Sequence, residues 1–209
     1  MFDRTYVAGK IQMSIEQDDD AWNWKYYTWT DFYNKKEVKQ ICEFIENNYE
    51  QLEDPKLGAH DKDGNYEKQI STVKLIHYRT VEPLISRLVK QAFQVANLDF
   101  GYTTFGPHPG QFLLYNTYQS EDKDHYNWHY DESRSPLSDV KLSLLVNLST
   151  EPYEGGEFQT YIHAEGSHPE FDRPGSAIMF KSYLNHRVLP VTSGIRKSLS
   201  LFIYGPKFR

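Results

Sequence analysis

Two residues with metal-binding side chains stand close together in the middle of the chain. They are His129 and Asp131, within the run Tyr126-Asn127-Trp128-His129-Tyr130-Asp131. In an extended strand, side chains at positions i and i+2 leave the same face, roughly 6 to 7 Å apart at their bases. We therefore expect His129 and Asp131 to bind one metal ion, with Trp128 and Tyr130 on the opposite face.

Spacing alone does not single out this pair, because two other histidines have a glutamate two residues later. They are His163 with Glu165 and His168 with Glu170, in a stretch whose Gly and Pro residues indicate a loop. A second metal site in that loop is one interpretation, and ordinary surface or core histidines are the favoured one.

A further histidine near the C-terminus can complete the first site. Two histidines and one carboxylate on one side of an ion form the facial triad of non-haem Fe(II) oxygenases, which leaves positions open for substrate and oxygen. His129, Asp131 and His186 supply that set. The sequence therefore predicts a metal site shared by two strands.

An arginine follows the third candidate ligand across a turn at Ser193-Gly194, so that the flanking strands are expected to form a hairpin. This residue, Arg196, carries a planar guanidinium that can hold a carboxylate with two parallel hydrogen bonds. Ser198 leaves the same face and can add a hydroxyl donor. A metal with open positions beside a carboxylate site is what an iron enzyme that uses a 2-oxo diacid requires.

Helices are expected first along the chain, followed by a region of short strands. Apolar residues recur at helical spacing over 34–52, with Asn34 as the N-cap, and again over 81–96. Seven strands separated by turn residues are predicted after Gly101, over 111–115, 126–130, 141–148, 157–161, 177–180, 186–189 and 195–204. This pattern predicts an α+β jelly roll with flanking N-terminal helices. We expect a single domain over 1–209, with a helical support region (1–100) and a jelly-roll core (101–209).

Composition limits the partners and the compartment. The net charge of −6 and the pI near 5.7 provide no field that would attract a nucleic acid or an anionic membrane. A single cysteine, Cys42, excludes an internal disulfide and favours the cytoplasm or another reducing intracellular compartment. No apolar run approaches the ~18 residues that cross a membrane. The sequence leaves the oligomeric state open.

Four motifs together resemble a known family. They are Tyr-x-x-His-x-Asp at 126–131, Tyr-Glu-Gly-Gly-Glu at 153–157, Arg-Pro-Gly-Ser-Ala at 173–177, and His-Arg-Val-x-Pro-Val-Thr-x-Gly-x-Arg at 186–196. In this order and spacing the chain resembles the 2-oxoglutarate and Fe(II)-dependent oxygenases, specifically the prolyl 4-hydroxylase-like group that includes PKHD-type hydroxylases. The resemblance covers 110–204, about half of the chain.

The resemblance implies a double-stranded β-helix fold and assigns roles to residues. His129, Asp131 and His186 would bind Fe(II), and Arg196 would bind the far carboxylate of 2-oxoglutarate. The implied reaction uses O2, converts 2-oxoglutarate to succinate and CO2, and hydroxylates a C–H bond, with ascorbate as an auxiliary reductant. Because related halogenases lack the carboxylate ligand, the presence of Asp131 favours hydroxylation.

Further residues are expected around the cosubstrate and the substrate. Tyr115 looks like the family's cosubstrate tyrosine, with Ser198 beside it, whereas Tyr126, Arg187 and Tyr183 are candidates to line the substrate mouth. A polar insert over 116–124 separates Tyr115 from the first motif. It is interpreted either as a lid over the substrate or as an inert exposed loop.

Three functions remain open at this point. The leading one is hydroxylation of a peptidyl residue, proline first. The second keeps the cofactors and acts on a free amino acid or another small molecule. The third is a binding module that holds a structural metal or a sugar without turnover, in which Arg196 would be dispensable. Nucleic-acid demethylation is disfavoured, because those members of the superfamily carry a second arginine downstream and 199–204 has none.

Overall fold

The computed structural model describes residues 25–49, 58–60, 66–68, 71–133, 135–162 and 164–207 of the 209-residue chain. Two helices lie in this part, α1 (Lys35–Asn48) and α2 (Tyr78–Leu98). Neither helix is both long enough and apolar enough to cross a membrane. The strands are β1 (Tyr26–Trp29), β2 (Gly58–His60), β3 (Tyr66–Lys68), β4 (Thr72–His77), β5 (Phe112–Gln119), β6 (Tyr126–His129), β7 (Ser138–Asn147), β8 (Glu154–Gly155), β9 (Phe158–Tyr161), β10 (Glu165–Ser167), β11 (Ala177–Lys181), β12 (Asn185–Val188), β13 (Val191–Ser193) and β14 (Ile195–Pro206).

Two antiparallel sheets form the jelly roll predicted from the sequence. The major sheet has the order β1-β11-β7-β14-β5-β4, and the minor sheet has the order β10-β9-β12-β6. Two-stranded ladders, β13-β8 and β2-β3, complete the described strands. Because β1 and β4 belong to the major sheet, the region before residue 101 contributes strands to the core as well as helices.

The major sheet separates two apolar clusters. One face packs on the helices, and its core includes Leu199, Leu201 and Ile203 of β14. The other face encloses a smaller aromatic cluster between the sheets, which contains Tyr118, Phe158, Phe171 and Phe180 among others. Alternation along a strand therefore directs the even-numbered residues of β14 from Arg196 to Ser200 away from the helices.

The helices begin and pack largely as the sequence predicts. Asn34 accepts hydrogen bonds from the backbone of Lys36 and Glu37, and the Glu37 carboxylate accepts one from the Asn34 backbone, which is a capping box. The buried face of α1 is Val38, Ile41, Cys42 and Ile45, at the predicted spacing. Both helices therefore pack on the same face of the major sheet.

Four of the nine residues of the polar insert predicted over 116–124 belong to a strand. β5 continues to Gln119, so only a short turn over 120–124 separates it from β6. The Asp124 carboxylate accepts a hydrogen bond from the Gln119 backbone at 2.9 Å, and the Asp124 carbonyl accepts one from Val191 at 3.0 Å. A turn closed by its own hydrogen bonds and tied to β13 is too short and too constrained for the lid interpretation.

Candidate active site

The three predicted metal ligands meet at one point between the sheets. His129 pairs directly with His186 across β6 and β12, and Asp131 follows two residues after His129. His129 Nε2 lies 3.9 Å from Asp131 Oδ1, and His186 Nε2 lies 3.5 Å from Asp131 Oδ2. Each of the three residues offers one ligand atom, and these three atoms all lie within 4.8 Å of one another. Register between two neighbouring strands therefore builds the set.

Backbone hydrogen bonds orient both imidazole rings. Nδ1 of His129 lies 2.7 Å from the carbonyl of Asn127, and Nδ1 of His186 lies 2.9 Å from the carbonyl of Leu184. Each Nδ1 must donate to a carbonyl, so each Nε2 presents a lone pair toward Asp131. The tautomers that a metal requires are thus fixed by the protein.

Asp131 is held by neighbours from two other elements. The Ser143 hydroxyl, on β7, donates to Asp131 Oδ2, and the Asp131 backbone N–H donates to the carbonyl of Ser182 at 2.9 Å. Sequence reasoning did not identify Ser143, whose contact with the site depends on how β7 of the major sheet is placed relative to the end of β6 in the minor sheet.

Burial keeps both histidines neutral. It lowers the pKa of His129 to about 3, with a further lowering by His186, and it lowers the pKa of His186 to about 4. Burial also raises the pKa of Asp131, against the opposing influence of His129 and Ser143. Neutral imidazoles with oriented Nε2 atoms and one carboxylate are a donor set that suits Fe(II), so the residues fit this ion.

The predicted carboxylate site is built around a fully buried arginine. Arg196 is 1% exposed, and its Nη1 donates weakly to Ser198 Oγ at 3.4 Å. Nε and Nη2 are buried without any hydrogen-bond partner. A buried guanidinium with two unused donors is unfavourable unless an anion joins it, and a carboxylate is the anion whose geometry matches. The residues therefore fit 2-oxoglutarate at this position.

A glycine creates the space that Arg196 occupies. A Cβ on Gly156 would lie 2.9 Å from Arg196 Cδ and 2.9 Å from Val191 Cγ2, and the glycine has a φ of +67°. The sequence analysis gave the second motif, 153–157, no role in the site. The structure gives it one, because its glycine turn lies against the arginine of the fourth motif.

Aromatic rings connect the arginine to the metal ligands. The Arg196 guanidinium lies 5.7 Å from the Phe171 ring, which lies 5.5 Å from Phe158, and Phe158 lies 5.7 Å from the His186 ring. Phe180 also contacts His186, at 4.7 Å. The two predicted sites are therefore parts of one interior lined by apolar side chains.

The expectation for Tyr115 is corrected by its position. Tyr115 pairs with Leu199 and packs in the core between the major sheet and the helices, near Cys42 and Glu46. The face of β5 that it occupies is opposite to the face shared with Arg196. Tyr115 consequently cannot contact a cosubstrate that Arg196 holds.

Tyr118 takes the place that was expected for Tyr115. It pairs with Arg196 across β5 and β14, and its ring lies 5.4 Å from the guanidinium. The three-residue shift moves the tyrosine to the other face of the strand. Extending the predicted strand from 115 to 119 could have revealed Tyr118. Tyr118 lies two residues from Asn116 and therefore on the same face of β5, and Asn116 pairs with Ser198, which shares the face of Arg196.

The three candidates for the substrate mouth occupy different places. Tyr126 stacks on the ring of His129, with centroids 3.6 Å apart. Tyr183 is 50% exposed, in the turn between β11 and β12. Arg187 lies on the outer face of the minor sheet, where it bonds Gln159 and Glu165. The outward position of Arg187 does not support substrate contact.

Trp128 lies on that outer face as predicted, with the Arg187 guanidinium 4.4 Å above its ring.

The alternative metal site is only partly described, since His163 lies outside the described residues. His168 is buried and bonds Thr160 at 2.9 Å, with Glu170 3.6 Å from its other nitrogen. Within the described residues, only the His129 set brings three such ligands together.

The region that holds the site resembles a known protein family. Residues 110–204 match the model of the 2OG-Fe(II) oxygenase superfamily. No curated protein sequence matches the chain significantly. The matched range contains all three candidate metal ligands and Arg196.

Solved structures share the fold at low sequence identity. A prolyl 4-hydroxylase from Pseudomonas putida is 14% identical, with a TM-score of 0.61 over 88% of this chain and 95% of its own. A viral collagen prolyl hydroxylase from Paramecium bursaria Chlorella virus-1, in a 2OG complex, is 17% identical, with a TM-score of 0.60 over 89% and 99%. A Trichoplax adhaerens prolyl hydroxylase, in complex with a peptide of the hypoxia-inducible factor oxygen degradation domain, is 15% identical, with a TM-score of 0.59 over 86% and 83%.

Proposed function

Since residues 110–204 match the model of the 2OG-Fe(II) oxygenase superfamily, we propose that the protein is an Fe(II)- and 2-oxoglutarate-dependent dioxygenase that hydroxylates a C–H bond. The observation that carries this proposal is the pairing of two incomplete sites in one interior. Arg196 has two buried donors without a partner, and the His129, Asp131 and His186 set lies across the same aromatic cluster.

Each residue has a defined task in this reaction. His129, Asp131 and His186 would hold the iron through Nε2 and carboxylate atoms, and Arg196 would hold the far carboxylate of 2-oxoglutarate. Iron held there would supply oxygen activation, coupled to the conversion of 2-oxoglutarate to succinate and CO2. Ser198 lies 3.4 Å from Arg196 Nη1 and can orient either the guanidinium or the carboxylate.

The aromatic cluster protects the reaction from water. Phe158, Phe171 and Phe180 are each completely buried between Arg196 and His186. Exclusion of water strengthens the attraction between the guanidinium and a carboxylate, and it limits side reactions of activated oxygen. The side of the site near Asp131, which is the more exposed ligand, is where a substrate can approach.

A peptidyl residue, proline first, is the substrate class that we favour. One structural neighbour is a prolyl hydroxylase bound to a peptide, which supports a peptide substrate here by analogy. In this chain, Tyr183 is 50% exposed and stands close in sequence to His186. A half-exposed tyrosine gives an extended peptide apolar contact and a hydrogen-bonding partner.

Succinate formation from 2-oxoglutarate tests the proposal. Wild type with Fe(II) in air should produce succinate, and a proline-rich peptide should increase the rate and gain the mass of one oxygen atom. His129→Ala should abolish turnover because it removes a metal ligand.

His125→Ala is the matched control, since His125 is a histidine of the same region that hydrogen-bonds to the Lys123 carbonyl and is not one of the three candidate ligands. Stimulation by free proline or another amino acid, and not by peptides, would transfer the proposal to small-molecule hydroxylation. Absence of turnover together with absence of 2-oxoglutarate binding would leave the binding module.

A further inference from the structure

A second acidic side chain belongs to the interior that contains Arg196. Asp172 follows Phe171 directly, and its Oδ1 is buried without a hydrogen-bond partner. Within the described residues, the carboxyl accepts a hydrogen bond from the backbone of Phe158. An acid that keeps one oxygen dry and unpaired is unfavourable unless that oxygen has a partner in another state of the protein.

The backbone of Asp172 is fixed within the arginine pocket. Its carbonyl accepts hydrogen bonds from Asn147 Nδ2 at 3.0 Å and from the Tyr153 hydroxyl at 3.3 Å. Tyr153 also interacts with Arg196, and Phe171, the residue before Asp172, lies 5.7 Å from the guanidinium. Asp172 and Arg196 are therefore near neighbours whose unpaired atoms, Oδ1 on one side and Nε and Nη2 on the other, are not bonded to each other.

The charge state of Asp172 is set by all the groups around it. Burial raises its pKa, and Arg196 of β14 lowers the pKa by a smaller amount. Glu157, before β9, raises the pKa, whereas His168, after β10, lowers it. Tyr153 is neutral in its own environment because burial raises its pKa. The net effect is that the pKa of Asp172 lies above the ordinary value of an aspartic acid.

If Asp172 is a neutral acid, the Arg196 guanidinium stays available to bind the carboxylate of a ligand. An ionised Asp172 would attract the guanidinium and would repel the carboxylate of a ligand, since two carboxylates at one site cannot easily both ionise. A protonated Asp172 has a hydroxyl group that can donate to the incoming carboxylate. The pocket would then offer the ligand the charged guanidinium of Arg196 and a neutral hydrogen-bond donor from Asp172.

We propose that Asp172 is a second residue of the carboxylate site, which hydrogen-bonds as a neutral acid to the carboxylate that Arg196 holds. This inference rests on the proposed function, because 2-oxoglutarate is the ligand. When Asp172 is ionised in the free protein, it takes one proton from the buffer as the ligand binds. The affinity is therefore independent of pH below the pKa of Asp172 in the free protein, and it falls by up to about tenfold per pH unit above that pKa.

Calorimetric titration of 2-oxoglutarate into the Fe(II)-loaded protein under nitrogen tests the proposal without turnover. The titration is performed between about pH 5.5 and pH 8.5, in buffers with different ionisation enthalpies so that protons are counted. Asp172→Asn retains a neutral donor and is expected to bind at least as tightly as wild type, with no dependence on pH from this position. Asp172→Ala removes the donor and is expected to weaken binding roughly three- to tenfold.

Asp31→Asn is the matched control. Asp31 pairs with Arg173, the residue after Asp172, so this variant perturbs the same loop by the same chemical change outside the pocket. It is expected to bind 2-oxoglutarate as wild type does, with the same pH profile. Thermal melting of each variant confirms folding, and the pH profile of Asp172→Asn decides the question if the alanine variant does not fold.

The outcomes separate this inference from the proposed function. If wild type binds 2-oxoglutarate and Arg196→Ala does not, the function stands. The role of Asp172 would then be overturned by an alanine variant that binds like wild type, by an asparagine variant as weak as alanine, or by an affinity that rises with pH. If wild type does not bind 2-oxoglutarate at all, the function and this inference fail together.

Discussion

The side chains of the site are held in states that suit a cation and a carboxylate. Arg196 is 1% exposed and has two donors without partners, while burial holds the pKa of His129 at about 3 and that of His186 at about 4. Buried polar groups in proteins are nearly always paired, and the exceptions concentrate at functional positions. At the scale of the residue, the molecule is thus prepared for one cation and one carboxylate.

Two tyrosines of β5 provide a test of the site at this scale. Tyr118→Leu removes the ring beside the Arg196 guanidinium, and we expect 2-oxoglutarate to bind roughly three- to tenfold more weakly, by about 0.5–1.5 kcal/mol. Tyr115→Phe should not change this binding, because Tyr115 lies on the helix side of the sheet. The measurement is the dissociation constant of 2-oxoglutarate for the Fe(II)-loaded protein under nitrogen.

The stability of the two variants supplies a second comparison. The Tyr115 hydroxyl is buried and makes no hydrogen bond of normal geometry within the described residues, so its removal is expected to be close to neutral for stability. A Tyr115→Phe variant that loses cosubstrate affinity while Tyr118→Leu retains it would reinstate the sequence-based assignment and contradict the structural one.

The short ladder of β8 and β13 shapes the arginine pocket at the scale of the element. Val191 pairs with Gly155, and the backbone N–H of Gly156 donates to the carbonyl of Pro190 at 3.0 Å. A Cβ on Gly194 would lie 2.7 Å from the carbonyl of Pro152, so the turn before β14 packs closely on the second motif. Two segments far apart in sequence thereby fix where β14 begins and where Arg196 enters the interior.

Gly156→Ala tests this packing. The added Cβ would meet Arg196 Cδ and Val191 Cγ2 at 2.9 Å, so we expect the guanidinium to shift and 2-oxoglutarate to bind at least about tenfold more weakly. Gly101→Ala is the control, because Gly101 has nearly the same φ, +68°, and no atom within 4 Å of its Cβ position.

Both alanine variants should lose roughly 1 kcal/mol of unfolding free energy from the backbone conformation alone. The measurements are chemical denaturation for stability and calorimetric titration for binding. Equal loss of affinity in both variants would indicate a general effect of destabilisation and would exclude a specific role of Gly156.

At the scale of the whole molecule, the metal site joins two strands of the minor sheet. β6 is an edge strand of that sheet and contributes His129, with Asp131 just beyond it, and β12 contributes His186. Any ligand that binds the folded state and not the unfolded one adds stability by mass action. A bound ion should therefore stabilise the fold as well as support the chemistry.

Metal removal tests this coupling. Addition of Fe(II) under nitrogen, at about a hundred times its dissociation constant, is expected to raise the melting temperature by roughly 5 to 10 °C, and a chelator should reverse the shift. His186→Ala should remove most of the shift, whereas His125→Ala should retain it. A similar shift in the His186 variant would place the ion elsewhere.

An intracellular, reducing location remains a prediction from the single cysteine.

The sequence by itself determined the residues that one strand presents together and the order of the elements. His129 and Asp131 could be paired, and Arg196 with Ser198, because side chains two positions apart on a strand share a face. The helices followed from apolar spacing and from the Asn34 cap, which are also local signals. The resemblance of four motifs then named the chemistry.

Only the tertiary structure decided which residues of different strands meet. The pairing of Arg196 with Tyr118, and the burial of Tyr115 on the helix side, depend on the register between β5 and β14. The place of Asp172 depends on a loop that packs from outside both strands. Register and loop packing arise from contacts between segments distant in sequence, and a shift of one residue exchanges the two faces of a strand. No local spacing carries that information.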